Sequence, residues 1–295
     1  MRVGIIDVGS NTVRLLVAGH GDLGVTALRE ERAAVGLARE IERTGAISKT
    51  KLREAVALAR SLARVATESG AGRLEVLVTA PGRQAANGDE LVTALAAATG
   101  SPVRALTAED EGRLAFAGAV ATLACPPATV AVCDIGGGST QLVFGTALDG
   151  PVWFRSLDIG SLRLTQRCFA HDPPRADEFE AAEAEVESCF SGLAPPLPRA
   201  ALAAGGTARA LRRLVGRTLG AKELEKAKAR LARRPARELA RAYGLEPWRA
   251  ETLAAGAIML AEAQRRLAVP LVVARAGLRE GAALELLERA AAEAA

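Results

Sequence analysis

The sequence carries one short pattern twice. Ile6-Asp7-Val8-Gly9-Ser10-Asn11-Thr12 leads into the apolar run Val13 to Val17, and Cys133-Asp134-Ile135-Gly136-Gly137-Gly138-Ser139-Thr140 leads into Gln141-Leu142-Val143-Phe144. The copies align without a gap at a spacing of 127 residues: Asp7 on Asp134, Gly9 on Gly136, Thr12 on Ser139, Leu15 on Leu142. Each reads as an apolar strand ending in an aspartate, a turn of small residues, and a second strand. A hairpin repeated this way constrains the chain to two tandem halves of like topology.

The segments around each copy support that division. In the first half, strands are expected at Val3–Val8, Val13–Ala18 and Val25–Glu30, the last two joined by Gly19-His20-Gly21-Asp22. The period then changes. Thr50–Thr67 puts Leu52, Val56, Ala59 and Ala63 on one helical face. A strand at Leu74–Thr79, a helix at Gly88–Ala98, a strand at Val103–Leu106 and a helix over Thr107–Leu123, with Thr107 as its N-cap, complete this half. Pro126-Pro127 stops the last helix and marks the boundary.

The second half restarts with strands at Thr129–Asp134, Gln141–Thr146 and Val152–Leu157. Helices are expected at about Ser161–Phe169 and Ala176–Leu193, and a strand at Ala200–Ala204 ends in Gly205-Gly206-Thr207. Lys222–Arg241 and Pro247–Leu267 read as helices, Leu271–Ala274 as a strand, and a last helix starts at about Arg279, its alanine-rich end from Ala290 reading as a fraying tail. The fold class expected is α/β, with mixed sheets of βββαβαβ order covered by helices. Domains are expected at 1–123 and 124–295, with the helix from about 279 free to pack back on the first.

The repeated turn points to phosphate. Glycines let the backbone turn tightly and approach a ligand, and successive N–H groups can converge on one anion. Ser10, Asn11 and Thr12 add side-chain donors in one copy, Ser139 and Thr140 in the other. The aspartate at each strand end can hold a cation or a water. Two such turns, at Gly9–Thr12 and Gly136–Thr140, with Gly137 and Gly138 inside the second, make a phosphate clamp with carboxylates beside it. The Walker pattern is absent, and a hairpin rather than a helix follows Gly136-x-Gly138, which argues against a dinucleotide fingerprint.

Composition removes other classes. Aromatics are only 3% of residues, too few for the stacking platforms of single-stranded nucleic-acid binders. The net charge is +4, and only five of the 38 basic residues are lysine. Arginine suits bidentate phosphate binding, and a GC-rich genome gives the same bias. No apolar stretch reaches the ~20 residues of a membrane span. The chain runs from Met1 straight into a strand, so a cytoplasmic protein without membrane or nucleic-acid partner is expected. Cys125, Cys133, Cys168 and Cys189 form no CxxC pair and read as reduced core residues. His20 and His171 match no metal-ligand spacing, and His171-Asp172 reads as a loop.

Four segments in order carry a resemblance: Ile6 to Thr12, Thr107-Ala108-Glu109-Asp110-Glu111-Gly112-Arg113-Leu114, Cys133 to Leu142, and Asp158-Ile159-Gly160-Ser161-Leu162-Arg163-Leu164-Thr165. Thr79 to Asn87, Gly205-Gly206-Thr207 and Ala276 to Gly281 echo it more weakly. Together they resemble the exopolyphosphatase and guanosine pentaphosphate phosphohydrolase family of the actin, hexokinase and heat-shock ATPase superfamily. The resemblance implies two ribonuclease H-like (actin-like ATPase) domains with an interdomain active-site cleft. It implies hydrolysis of a terminal phosphoanhydride, in polyphosphate or guanosine pentaphosphate (pppGpp), with Mg²⁺ or Mn²⁺. Glu111 matches the family's general base, Arg83 its arginine near the phosphate, and Asp134 its aspartate near metal and water. Asp7 is a second candidate metal ligand, while Arg163, Gly205, Gly206 and Thr207 are further cleft residues. Related proteins often dimerise, so a homodimer is compatible.

Two positions depart from the family pattern. Gln141 stands where the family has a glutamate, and a glutamine can neither take a proton nor give Mg²⁺ a full charge. Gly112 replaces an alanine and loosens its helix by about 1 kcal/mol. Glu109 and Asp110 suit a helix N-terminus, where carboxylates are favoured, and could also compensate for Gln141. Two alternatives remain at this level: a polyphosphate- or nucleotide-binding sensor quenched by Gln141, and a small-molecule kinase of the same superfamily.

Overall fold

The computed structural model describes residues 1–293. Two sheets form, one in each of two compact units. The first unit comprises Met1–Ala124 and the segment from Ala276 onward, and the second is Cys125–Arg275. The last helix is therefore counted with the first unit rather than with the 124–295 half of the sequence.

The first unit contains β1 (Arg2–Val8), β2 (Thr12–His20), β3 (Val25–Ala34), α1 (Leu37–Thr44), α2 (Lys49–Glu68), β4 (Arg73–Val78), α3 (Ala80–Gln84), α4 (Gly88–Thr99), β5 (Val103–Ala105) and α5 (Ala108–Val120). The second holds β6 (Val130–Ile135), β7 (Thr140–Thr146), β8 (Gly150–Leu157), α6 (Ser161–Cys168), α7 (Ala176–Phe190), β9 (Ala200–Ala204), α8 (Gly205–Val215), β10 (Thr218–Leu219), α9 (Ala221–Leu231), α10 (Ala236–Tyr243), α11 (Pro247–Glu251), α12 (Leu253–Leu267) and β11 (Leu271–Val273). Helix α13 (Leu278–Ala292) returns to the first unit. It covers the expected tail at Ala290, while residues 294 and 295 lie outside the described residues.

The two sheets have one topology. The first runs β3-β2-β1-β4-β5, and the second runs β8-β7-β6-β9-β11 with the short β10 added at its edge. In both, the hairpin strands pair antiparallel and the next two join in parallel, as helical crossovers require. Strand alternation sends Ile6, Val8, Val13 and Leu15 into a core under α2 and α4, and Val3, Ile5 and Leu16 into a second core under α13. The second unit buries Cys133, Ile135 and Leu142 with α7, α8 and α12.

Several expectations need correction. The single helix expected over Lys222–Arg241 is two, because Pro235 cannot continue α9 and becomes the N-cap of α10. The helix expected over Pro247–Leu267 likewise breaks at Thr252. Gly205-Gly206-Thr207 is the first turn of α8 rather than a strand end. Helices α1 and α3 are additions: α1 is charged and short, and starts from a left-handed glycine, Gly36, at φ 67°. Cys125 is exposed and only Cys133 is fully buried, so the four cysteines are not all core residues. Burial pushes the Cys133 thiol well above its ordinary range. Among the described residues no helix is long and apolar enough to cross a membrane.

The interface between α5 and α13 is unusually close. A Cβ on Gly281 would lie 2.0 Å from the Leu114 carbonyl oxygen, and one on Gly118 would lie 2.1 Å from that of Gly277. Backbone meets backbone there, which only glycine permits. This accounts physically for Gly118 on α5 and for Gly281 at the end of the Ala276–Gly281 segment. Beside it, Glu75 is buried and takes Arg289 at 2.6 Å, while Glu285 takes Arg104 at 2.7 Å and Arg113 at 2.8 Å.

Candidate active site

The repeat holds at the level of single hydrogen bonds. The Gly9 N–H donates to the Thr12 carbonyl at 3.0 Å, and the Gly136 N–H donates to the Ser139 carbonyl at 3.0 Å. Each turn is then clamped by the start of the helix after its third strand. In the first unit Ala38 N–H donates to Ser10 O at 2.8 Å, and Val35 and Gly36 donate to Asn11 O. In the second, Ser161 N–H donates to Gly136 O at 2.9 Å and Leu162 to Gly137 O at 3.0 Å. A Cβ on Gly160 would lie 2.4 Å from the Gly137 carbonyl carbon, so the Asp158–Thr165 segment can press on the loop only with glycine there. Both loops are thus held by backbone hydrogen bonds within their own unit, the kind of preorganisation that favours an anion site.

Their side chains are not all available. Thr140 is fully buried, and its hydroxyl donates to Ile159 O at 2.8 Å. It holds the Asp158–Thr165 segment, and the expected role as a phosphate donor does not fit that bond. Thr12 Oγ1 accepts from Arg14 Nε at 3.0 Å. Ser10 and Ser139 are buried at the turns. The expected cleft arginine, Arg163, pairs with Asp158 at 2.7 Å.

Gln141 is buried, and its Nε2 donates to Ser139 Oγ at 3.0 Å and to Ser156 Oγ at 3.5 Å. The amide makes Ser139 an acceptor, which leaves the serine's own proton to be donated elsewhere. A carboxylate at 141 would take that proton. Gln141→Glu is therefore expected to lower kcat/KM by about ten-fold, the effect of one redirected buried hydrogen bond. Steady-state kinetics check it, and a faster variant would show that the site accepts a glutamate.

Asp7 is the last residue but one of β1 and is buried, 3.9 Å from Arg14 Nε through Oδ2. Its Oδ1 is buried without a hydrogen-bond partner. Burial raises the Asp7 pKa, opposed by Arg14 and Arg279 and reinforced by Glu280. A raised carboxyl pKa means that the folded state disfavours the ionised form. That penalty is present above the folded pKa and disappears as pH falls below the unfolded value. Asp7→Asn should accordingly raise the thermal unfolding midpoint near neutral pH, with the difference vanishing in acid. A lower midpoint at neutral pH would contradict this.

Glu111 lies in the first turn of α5, where Thr107 and Asp110 form a capping box. The Thr107 hydroxyl bonded to Asp110 lowers that carboxyl's pKa. Asp110 is thus a cap. Glu111 is buried and receives Arg83 Nη1 at 2.6 Å; the same nitrogen donates to Leu106 O at 2.7 Å. Arg83 stands at the end of α3, whose start is set by Thr79 and Pro81. A Cβ on Gly88 would lie 2.1 Å from Gly82 O, so Gly88 lets α4 begin against α3 and fixes Arg83. Nε and Nη2 of Arg83 have no hydrogen bond among the described residues.

Asp134 is the last residue but one of β6, paired across the sheet with Gln141 on one side and Ala204 on the other. Gly205 adopts φ 83°, and a Cβ there would lie 2.4 Å from Asp134 Oδ1. Thr207 Oγ1 donates to Ile135 O at 3.3 Å. Sequence reasoning missed Arg249. From α11 it reaches Thr207 Oγ1 at 3.4 Å, its guanidinium stacks 4.3 Å from the Trp248 ring, and it fills the space a Cβ on Gly206 would need. The link spans 42 residues, so no local pattern could have signalled it.

Two tandem ribonuclease H-like domains of the actin-like ATPase type, each with a clamped glycine turn and a strand-end aspartate, define the class. Residues 16–290 match the Ppx/GppA phosphatase family, and the chain belongs to it. Exopolyphosphatase 1 of Mycobacterium tuberculosis is 31% identical over 98% of this chain and 89% of its own. Exopolyphosphatase 2 of the same species is 30% identical over 90% and 91%. The crystal structure of the Aquifex aeolicus member of the Ppx/GppA family superposes with a TM-score of 0.83 at 28% identity, covering 98% of both chains.

Proposed function

We propose that the protein hydrolyses the terminal phosphoanhydride of inorganic polyphosphate, with pppGpp as a second candidate substrate. The observation that carries this reading is Glu111, a buried carboxylate held by a guanidinium in a chain of this family. The names of the two mycobacterial relatives favour polyphosphate.

In this mechanism Glu111 accepts a proton from water as the water oxygen bonds to the terminal phosphorus. The bond from that phosphorus to the bridging oxygen breaks in line, and the shortened chain leaves with the electron pair. Arg83 Nη1 holds Glu111 in one orientation, while Nε and Nη2 are available to the phosphoryl oxygens. The N–H groups of the Gly9–Thr12 loop, in the same unit as Glu111 and Arg83, bind the non-bridging oxygens.

A divalent metal fits the residues present. Asp7 offers a buried oxygen that no protein donor satisfies, and Asp134, in the other unit, is a separate hard-oxygen candidate. Among the described residues no three His, Cys, Asp or Glu side chains cluster, and Mg²⁺ needs only one or two carboxylates when phosphates and waters complete its shell. The ion would supply positive charge to the phosphate oxygens.

Gln141 favours a second reading, a sensor that binds polyphosphate without cleaving it. Orthophosphate release from long-chain polyphosphate and from pppGpp, assayed with Mg²⁺, separates the two. Release from polyphosphate is expected. No release from either, with tight binding retained, would leave the sensor.

A further inference from the structure

A pocket of about 220 Å³ indents the second unit, where the end of α6 meets helices α9 to α12. One unit builds it whole, and none of the residues assigned above to phosphate or metal lines it. Its floor is apolar: Leu231, Leu239, Ala250 and Ala254 are buried there. Phe169 adds a wall and is held by Phe179, with ring centroids 5.5 Å apart. The loop at the mouth is fastened on both sides. Glu178 accepts from the Ala170 N–H at 2.9 Å and the Arg175 N–H at 2.8 Å, and its Oε1 meets His171 Nδ1 at 2.7 Å. Asp172 Oδ1 accepts from the Ala236 N–H at 2.8 Å. His171 and Asp172, which the phosphate chemistry leaves unused, therefore shape this pocket.

Two charges on the pocket are uncommitted. Arg234 and Glu251 both line it, are exposed, and have no polar partner among the described residues. What sets them apart from other exposed charges is that a cation and an anion border the same apolar cavity. The pocket also shares its walls with the supports of the second glycine turn. Helix α6 gives Thr165 to the pocket and, from its start, the Ser161 and Leu162 N–H groups to the Gly136 and Gly137 carbonyls. Helix α11 gives Ala250 and Glu251, next to the Arg249 that reaches Thr207. An occupant contacts the same two helices that hold the turns beside Asp134.

We infer that this pocket binds a free apolar α-amino acid, with the side chain on the floor, the carboxylate on Arg234 and the ammonium on Glu251. Small-molecule sites are mostly apolar and use a few placed polar groups to fix orientation. A cation, an anion and an apolar floor together call for a zwitterion that carries an apolar group. A fatty acid would put its carboxylate beside an unanswered Glu251, and a simple amine would leave Arg234 without a partner. The volume lies below the range of drug-sized sites and suits a small metabolite. The site stands apart from the hydrolase reading, because binding is measured directly whatever the turnover.

Isothermal titration calorimetry of the full chain with L-leucine and with L-phenylalanine tests the site. At least one of them should bind. Arg234→Gln and Glu251→Gln should each weaken that binding by about ten-fold or more, the effect of losing a hydrogen bond to a charged group. The thermal unfolding midpoint of both variants should match wild type, because neither side chain has a partner in the fold to lose. The N-acetyl and the amide derivatives of the amino acid that binds should each bind more weakly by a similar factor, since each lacks one charge. Glycine, with no apolar group, should give no heat of binding. Binding of neither amino acid to wild type, or binding that both substitutions leave unchanged, would overturn the inference. Equal binding of either derivative would overturn the zwitterion assignment in the same way.

Discussion

Glu111→Gln should lower kcat for polyphosphate by about 10²–10⁴, the range that a positioned general base supplies. The substitution keeps the shape of a side chain that is 6% exposed and keeps an oxygen to accept from Arg83 Nη1. KM should therefore change little, and the thermal unfolding midpoint should stay close to wild type. Arg83→Lys tests the same pair from the other side. Lysine keeps the charge but cannot donate to Leu106 O and Glu111 while offering further fixed donors to a phosphate. It should also lower kcat, by less than the Glu111 change. If Glu111→Gln retained a tenth or more of the activity, another group would have to be the base.

Gly281→Ala should have the largest effect on stability. The added methyl would fall 2.0 Å from the Leu114 carbonyl oxygen and 3.0 Å from the Gly118 nitrogen, both backbone atoms. No rotamer relieves that contact, so α13 and α5 must separate. Overpacking of this kind costs about 3 kcal/mol or more, a fall in midpoint of roughly 6–12 °C for a unit of this size. Helix α5 carries Glu111, so activity should fall even at temperatures where the variant is folded. Chemical denaturation measures the first effect and kcat the second. A loss below about 1 kcal/mol with kcat unchanged would mean that the two helices part without moving Glu111.

The repeated hairpin was legible because its signal is local. A strand, an aspartate and a glycine turn lie close together in the chain, and the 127-residue offset reappears in the matched backbone closures, Gly9 to Thr12 and Gly136 to Ser139. The long strands and helices followed from periodicity for the same reason. Helices α1, α3 and α8 did not. They are short or start with glycine, and tertiary hydrogen bonds hold them: Ala38 to Ser10, Arg83 to Leu106, Thr207 to Ile135. Pro235 was a visible breaker inside a basic helical pattern whose periodicity ran across it. The glycine of α13, Gly281, stood out in the sequence, but its reason lies on α5, far back along the chain. Arg249 was equally hidden, since nothing near it names the Gly205–Thr207 turn as its neighbour.

Hydrolysis as proposed requires water to attack the terminal phosphorus of a polyphosphate chain. Orthophosphate released from long-chain polyphosphate in ¹⁸O-labelled water, analysed by mass spectrometry, tests it most directly. Every orthophosphate released should carry one labelled oxygen, and a Glu111→Gln variant should release it far more slowly. Binding without release, or phosphoryl transfer to an acceptor with no label taken from water, would contradict it.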